Sequence, residues 1–211
     1  MSEPVQSWIV ELRDRLGSPA PRRLATGGGG QSADATDSPE SRRAAVLVPL
    51  YVDSGELWTL LTRRTESLPS HRGQVAFPGG GRETGEDPWH AALRESEEEI
   101  GLPPRAVLRL GELDEVGTPS GFRIVPCVGA IPAPFEPKAN PDEIDEVFSV
   151  PVSALANPRL VEERDVLVNG QRRTLRLYHV GRHLIWGVTA RILQNLLERL
   201  GIPGGLGDET A

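Results

Sequence analysis

The segment at residues 80–102 constrains this chain more than any other part of it. It reads GGRETGEDPWHAALRESEEEIGL and joins a glycine-rich turn to a stretch that is dense in carboxylates. Asp87 is a favourable N-cap, Pro88 suits the first helical position, and Gly101 suits the residue after the last turn. The segment therefore predicts a helix over residues 88–100, entered from a glycine turn.

The predicted helix has a packing face and an acidic side. At roughly 100° per residue, one face can pack against a core. This face carries Trp89, Ala92, Leu93, Ser96 and Ile100. Glu95, Glu98 and Glu99 share another side because they are three or four residues apart, and we expect all three to face outward. Glu97 points away from Glu95.

Neighbouring carboxylates on a helix repel one another, and a pair at the i, i+4 spacing costs roughly a few tenths of a kcal/mol. A cation would offset this repulsion, and hard oxygen ligands favour Mg²⁺ or Mn²⁺. The alternative is a solvated acidic face. The flanking residues favour a cation held against a phosphate, because the glycine turn lets the backbone approach a ligand and Arg94 can anchor Glu86.

The spacing of these residues resembles the Nudix box, the signature of hydrolases that cleave nucleoside diphosphates linked to another group. Its fixed positions are occupied by Gly80, Glu86, Arg94, Glu95, Glu98, Glu99 and Gly101. The resemblance implies an α/β fold, a Nudix-type α/β/α sandwich with a mixed β-sheet. It also implies hydrolysis of a phosphoanhydride by metal-activated water, with Mg²⁺ or Mn²⁺ as the cofactor.

The same resemblance implies roles for individual residues. Glu95, Glu98 and Glu99 would be the metal ligands, with the carbonyl of Gly79 as a further ligand and Glu95 as a candidate base. The implied catalytic group comprises Glu95, Glu98, Glu99, Arg94 and Glu86, of which the last two support the loop and the helix.

Three further residues are interpreted beside the box. Ser96 stands where the family generally has an aliphatic or another small residue, and we expect its hydroxyl to bond a backbone carbonyl. Glu143 and Glu146 lie in the downstream run PDEIDEV. A distant ligand or base is one interpretation of either, and a solvated strand end is the favoured one.

Residues 60–80, LLTRRTESLPSHRGQVAFPGG, resemble the extended motif of the coenzyme A pyrophosphatase branch of the family. Residues 118–126, 140–148 and 185–193 also resemble this branch. The implied reaction converts coenzyme A or acyl-CoA to 3′,5′-ADP and (acyl-)4′-phosphopantetheine. Two positions depart from the motif: Thr65 replaces serine or alanine, and Pro69 replaces an arginine that could meet a phosphate.

Other side chains of this stretch are candidate contacts to the substrate, a small nucleotide. They are Arg64, His71, Arg72 and Gly80. We hypothesise that Arg64 or Arg72 takes over the phosphate contact that Pro69 cannot make. Two alternatives stay open: a Nudix hydrolase of ADP-ribose, dinucleotides or nucleoside triphosphates, and a noncatalytic Nudix domain that senses a nucleotide. Intact carboxylates speak against the second.

Composition sets the outer bounds. The 211 residues, 38% of them hydrophobic, suffice for one domain, which we place at residues 44–201 between an N-terminal helix with a flexible connection at 1–43 and a tail at 202–211. The net charge of −7 argues against a nucleic-acid partner. Without a long apolar run or a signal peptide at the N-terminus, we expect no membrane association and a cytoplasmic location. The sequence leaves a homodimer open.

The remaining pattern predicts elements around the box. The only cysteine, Cys127, lies in the apolar run IVPCVGAI, so we expect a buried strand thiol and a reducing compartment. Helices are predicted at residues 5–16 and 186–200, with a mobile connection at 26–41. Strands are predicted at residues 44–52, 57–62, 107–113, 123–131, 145–150 and 173–180.

Overall fold

A computed structural model describes residues 3–16, 23–24, 42–66, 72–118, 121–168 and 171–202. The connection predicted at 26–41, His71 and Pro69 lie outside the described residues, as does the tail beyond Ile202. The helices are α1 Glu3–Leu16, α2 Pro88–Ile100, α3 Val152–Leu155 and α4 Gly187–Leu200, with 3-10 turns at Pro104–Ala106 and Pro158–Leu160. The strands are β1 Arg23–Leu24, β2 Arg42–Asp53, β3 Glu56–Arg64, β4 Val75–Ala76, β5 Gly79–Gly81, β6 Leu108–Glu112, β7 Glu115–Gly117, β8 Phe122–Ala130, β9 Ile144–Pro151, β10 Val161–Val168, β11 Gln171–Val180 and β12 His183–Ile185.

The larger of two sheets has β2 near its centre. Its main path runs β1-β7-β8-β2-β3-β4, while β5 pairs with β2, β6 with β8 and β9 with β3. The pairs β2–β8 and β1–β7 are parallel, and the other pairs of this sheet are antiparallel. The second sheet is the antiparallel ribbon β10-β11-β12. The predicted mixed sheet is therefore confirmed.

Helices cover both faces of the larger sheet. Successive side chains of a strand point to opposite faces, so β2 contributes to two separate apolar clusters. Ala45 and Leu47 pack with α2, whereas Val48 and Leu50 belong to the cluster that includes the buried residues of α1 and α4. This arrangement of helix, mixed sheet and helix is the α/β/α sandwich predicted from the sequence. The domain boundaries proposed above stay a prediction.

The structure confirms the local signals that predicted α2. Asp87 accepts a hydrogen bond from the amide of Trp89 at 2.9 Å, and Gly101 ends the helix in the left-handed conformation at φ 69°. The five residues assigned to the packing face are all buried. The hydroxyl of Ser96 donates to the carbonyl of Ala92 at 2.6 Å, as expected. The helix is thus fixed at both ends and along its apolar face.

Most of the predicted elements are present. The strands that were not predicted are the short β1, β4, β5, β7 and β12 and the eight-residue β10, and the helix α3 was not predicted either. Strand β10, VEERDVLV, carries charges that pair across the ribbon with β11, including Glu163 with Arg176 at 2.6 Å.

No helix in the described part of the chain is long and apolar enough to cross a membrane. Cys127 is fully buried in β8, and this burial raises the pKa of its thiol, in agreement with a packing role.

Candidate active site

An arginine and a carboxylate join the loop before α2 to the helix itself. The guanidinium of Arg94 donates to both carboxylate oxygens of Glu86, each at 3.1 Å, and to the carbonyl of Gly81 at 3.2 Å. Glu86 also accepts from the amide of Glu83 at 2.9 Å. The hydrogen bonds from Arg94 are the main cause of a lowered pKa at Glu86. The predicted contact between these two box residues is therefore present, and it fixes the course of the loop.

The same guanidinium reaches the acidic side of α2. Its Nη1 donates to Oε1 of Glu95 at 2.8 Å and lies 3.7 Å from Oε2 of Glu98. Glu95 is largely covered, with 19% of its side chain exposed, whereas 58% of the Glu98 side chain is exposed. Arg94 therefore offsets part of the repulsion predicted for the acidic side, in addition to holding Glu86.

The three consecutive glycines, predicted as a turn, form the short strand β5 instead, because they pair with β2. Their backbone lies against α2. Gly79 has φ 148°, and a Cβ there would lie 2.5 Å from Cα of Val46. A Cβ on Gly80 would lie 2.5–2.7 Å from the carboxylate atoms of Glu95. Glycine at position 80 thus makes a cradle for the Glu95 carboxylate. The approach of this backbone to a ligand stays a prediction.

Glu99 does not face outward, and the expectation that it would do so was wrong. It is 2% exposed, and residues of two strands lie against its carboxylate. The amide of Gly79 donates to its Oε2 at 3.0 Å, and Nη1 of Arg64 donates to its Oε1 at 3.3 Å. Burial raises the pKa of Glu99 to about 7, despite these two contacts. Sequence periodicity placed Glu99 on the correct side of the helix, but it could not indicate that Gly79 and Arg64 pack against it.

Because the pKa of Glu99 is raised, the stability of the metal-free protein should depend on pH, and the sign of this dependence is defined. The folded state holds this proton up to about pH 7, whereas the unfolded chain releases it near 4.5. The stability that Glu99 contributes is therefore present below pH 4.5 and is lost as the pH rises through about 7. We expect the native protein to lose up to about 3 kcal/mol of unfolding free energy relative to Glu99→Gln across this window. Urea unfolding of both proteins in EDTA at several pH values measures this difference in unfolding free energy. If the free energies of the two proteins changed in parallel with pH, the prediction would be wrong.

The residues predicted to contact substrate are distributed unevenly around this site. Arg64 contacts Glu99 and also lies 3.9 Å from Oε2 of Glu143, while Arg72 is exposed. Gly80 lies against Glu95. His71 is outside the described residues. The contact between Arg64 and Glu99 was not predicted, because the two residues are 35 positions apart in the chain.

The second downstream glutamate, Glu146, has its own partners. Its carboxylate lies 2.7 Å from Nη2 of Arg182 and 3.5 Å from Nε2 of His183. The hydrogen bond from Arg182 is the main cause of its lowered pKa. The ring of His183 stacks on Phe148 at 3.8 Å between centroids. Glu146 is thus part of an ion-pair cluster.

The chemistry of the site fits a hard divalent cation. The groups that the sequence nominated as ligands are all oxygen donors, which Mg²⁺ and Mn²⁺ prefer. The cradle at Gly80 holds one carboxylate against the backbone, and Glu99 is a buried carboxylate beside it. Within the described ranges, no three acidic, histidine or cysteine side chains are grouped closely enough to bind a metal ion. The ligand assignment therefore stays a prediction.

The fold and the box geometry define a class of protein, and comparison with known proteins identifies it. The family model described as NUDIX domain matches residues 41–170, so the chain belongs to the Nudix family. It is a Nudix hydrolase, a pyrophosphohydrolase that acts on a nucleoside diphosphate derivative. Hydrolases of this family generally need divalent metal ions.

Particular relatives extend the match over most of the chain. The uncharacterized Nudix hydrolase NudL of Photorhabdus laumondii is 37% identical over 166 residues, which cover 78% of this chain and 88% of that protein. NudL of Escherichia coli K12 is 36% identical over 162 residues, covering 76% and 84%. Among solved structures, a MutT/nudix family protein from Enterococcus faecalis has a TM-score of 0.52 at 19% identity, covering 81% of this chain and 68% of that one. This last similarity concerns the fold alone.

Proposed function

We propose that this Nudix hydrolase cleaves the phosphoanhydride of coenzyme A or acyl-CoA to 3′,5′-ADP and (acyl-)4′-phosphopantetheine. The observation that supports it is the meeting of two motifs at one carboxylate. Gly79 and Arg64 both belong to the stretch that resembles the coenzyme A branch, and both contact Glu99 of the box helix. The branch motif therefore contributes to the site rather than to a distant surface.

Each box residue has a proposed task. Glu95, Glu98 and Glu99, with the carbonyl of Gly79, would hold Mg²⁺ or Mn²⁺. When bound, the cation would neutralise charge that develops on the phosphoryl oxygens and lower the pKa of a water. Glu95 is the proposed general base, since it lies in the cradle at Gly80 and remains partly accessible to solvent. Arg94 and Glu86 position the loop and the helix.

Arginines of the branch motif have different proposed tasks. Arg64 contacts the buried carboxylate of Glu99, so its first role is to position that side chain. Arg72 is exposed and follows the segment that contains Pro69, and it is the better candidate for a contact to a substrate phosphate. A charged hydrogen bond of this kind contributes roughly 1.5–3 kcal/mol. Coenzyme A has a 3′-phosphate that dephospho-coenzyme A lacks, so the two compounds test the contact directly.

A substrate panel tests the proposed function. We expect turnover of coenzyme A in the presence of Mg²⁺ or Mn²⁺, none after removal of metal with EDTA, and a kcat/KM about tenfold or more above that of dephospho-coenzyme A. Products are identified by mass. Arg72→Ala should reduce the preference mainly through KM, because the contact is held in both ground and transition states.

The same panel separates the alternatives. Cleavage of ADP-ribose, a dinucleotide or a nucleoside triphosphate, but not of coenzyme A, would replace the proposal with a Nudix hydrolase of another substrate. Nucleotide binding without turnover under any metal would instead indicate a sensing domain. Equal kcat/KM for coenzyme A and its dephospho form would remove the basis for recognition of the 3′-phosphate.

A further inference from the structure

A second polar site lies beside the box loop, on the side where β2 meets β8. It is a cavity of about 120 Å³. Its lining consists of Arg43, Arg82, Glu115, Arg123 and Val125. By the same measure a single water occupies roughly 10–15 Å³, so the cavity has room for a much larger group. Three guanidinium groups therefore surround a space that a small polar ligand can enter.

The pairing of strands forces two of these arginines together. Arg43 and Arg123 are register partners on the parallel strands β2 and β8. They are two residues before Ala45 and Val125, which pack toward α2, so the arginines lie on the same face of the sheet. Side chains of like charge that face each other on neighbouring strands are destabilising. One of the two, Arg123, is paired with Glu115 on β7, which offsets part of this repulsion.

The charges around the cavity are unequal. Among the described residues, Glu115 is the only carboxylate that lines the cavity, and its partner is Arg123. Arg82 donates from Nε to the carbonyl of Glu86 at 2.9 Å, which is a neutral acceptor. The guanidinium of Arg43 makes no hydrogen bond or ion pair with the part of the chain that the structure describes. Positive charge therefore exceeds negative charge in this cavity, although the protein as a whole carries a net charge of −7.

The chemistry of the lining selects one kind of ligand. Guanidinium groups present planar pairs of N–H donors that match phosphate oxygens, and they cannot lose their charge at neutral pH. A phosphate monoester dianion has two negative charges and three free oxygens, whereas a carboxylate has one charge and two oxygens, so the dianion is the better match for three guanidinium groups. We propose that Arg43, Arg82 and Arg123 form a binding site for a phosphate monoester dianion, separate from the carboxylates of α2.

Binding of inorganic phosphate to the metal-free protein tests this site without any turnover. Backbone amide chemical shifts are followed during titration in EDTA at constant ionic strength. We expect saturable binding whose dissociation constant rises at least about tenfold in Arg43→Gln, because a charged hydrogen bond is lost. Arg42→Gln is the matched control, since Arg42 lies over the ring of Phe122 and does not line the cavity. The control should bind phosphate within about twofold of the native protein.

Two results would overturn the proposal. One is the absence of saturable phosphate binding in the native protein. The other is an equal dissociation constant in Arg43→Gln and Arg42→Gln. Since Arg43 is exposed and has no partner in the described chain, its replacement should leave the fold intact, and a thermal melt checks this. The titration is independent of the proposed reaction, so failure of one does not imply failure of the other.

The phosphate could belong to the substrate or be free in solution, and kinetics distinguish the two sources. The first case rests on the proposed function. There, Arg43→Gln reduces the preference for coenzyme A over dephospho-coenzyme A by about tenfold, while Arg42→Gln keeps it. In the second case the preference is unchanged in Arg43→Gln, although the variant binds inorganic phosphate at least about tenfold more weakly. Either result supports the site and assigns its ligand.

Discussion

Replacement of Glu99 by glutamine is expected to lower kcat by about 10²–10⁴-fold, with the fold retained. The substitution keeps the shape of the side chain and an oxygen that can accept the hydrogen bond from the amide of Gly79. It removes the negative charge that the proposed metal site requires. Since Glu99 is 2% exposed, the loss would arise from a buried group rather than from a surface charge. Steady-state kinetics at saturating metal measure the effect.

Glu97→Gln supplies the matched control on the same helix. Glu97 is exposed and lies on another side of α2, so the same chemical change there should leave kcat within about twofold. Near-normal turnover of Glu99→Gln at limiting metal would show that the ligand assignment is wrong. Equal losses in both variants would point to a general effect of charge on the helix.

The three glycines of β5 should respond differently to alanine, although they are consecutive. Gly79→Ala is expected to destabilise the protein by about 1–3 kcal/mol or more, because its Cβ meets the backbone of Val46 and its φ of 148° is strained for alanine. Backbone atoms of a central strand cannot move aside as a flexible side chain can. Chemical denaturation measures the loss of stability. An unchanged unfolding midpoint would contradict the close approach of Gly79 to Val46.

Gly80→Ala separates activity from stability. Its Cβ meets the carboxylate of Glu95, which can move away at small energetic cost but would then leave the cradle. We expect a loss of turnover of about tenfold or more, with a change in unfolding free energy below about 1 kcal/mol. Gly81→Ala is the control, since a Cβ there has no neighbour within 4 Å. Activity of Gly80→Ala equal to that of Gly81→Ala would remove Glu95 from the proposed role.

Local signals were sufficient to predict the helix that contains the box. The cap at Asp87, the left-handed glycine at 101 and the apolar spacing between them act within a few residues, and all three are present. The longer strands were predicted for the same reason, since their apolar content is visible locally. Strand β10 was missed because its sequence is rich in charges, whose partners, such as Arg172 for Asp165, lie on the neighbouring strand.

The parts of the site that the sequence could not predict depend on distant pairings. The burial of Glu99 requires β5 to dock on β2, and its contact with Arg64 requires the last residue of β3 to reach the helix. The arginine cavity requires β2 and β8 to pair in parallel, which brings together residues 80 positions apart in the chain, such as Arg43 and Arg123. A motif predicts the residue types of a site, whereas these strand pairings determine which charged residues from distant parts of the chain lie within it.

The helices α1 and α4 pack against each other although both lie outside the range that the family model matches. The family match spans residues 41–170, which excludes both α1 and α4. Ile9, Leu12 and Leu16 of α1 nevertheless pack in one cluster with Leu196 and Leu197 of α4, beneath the sheet. A fragment of residues 41–170 would lack both helices and would leave that side of the sheet without their cover.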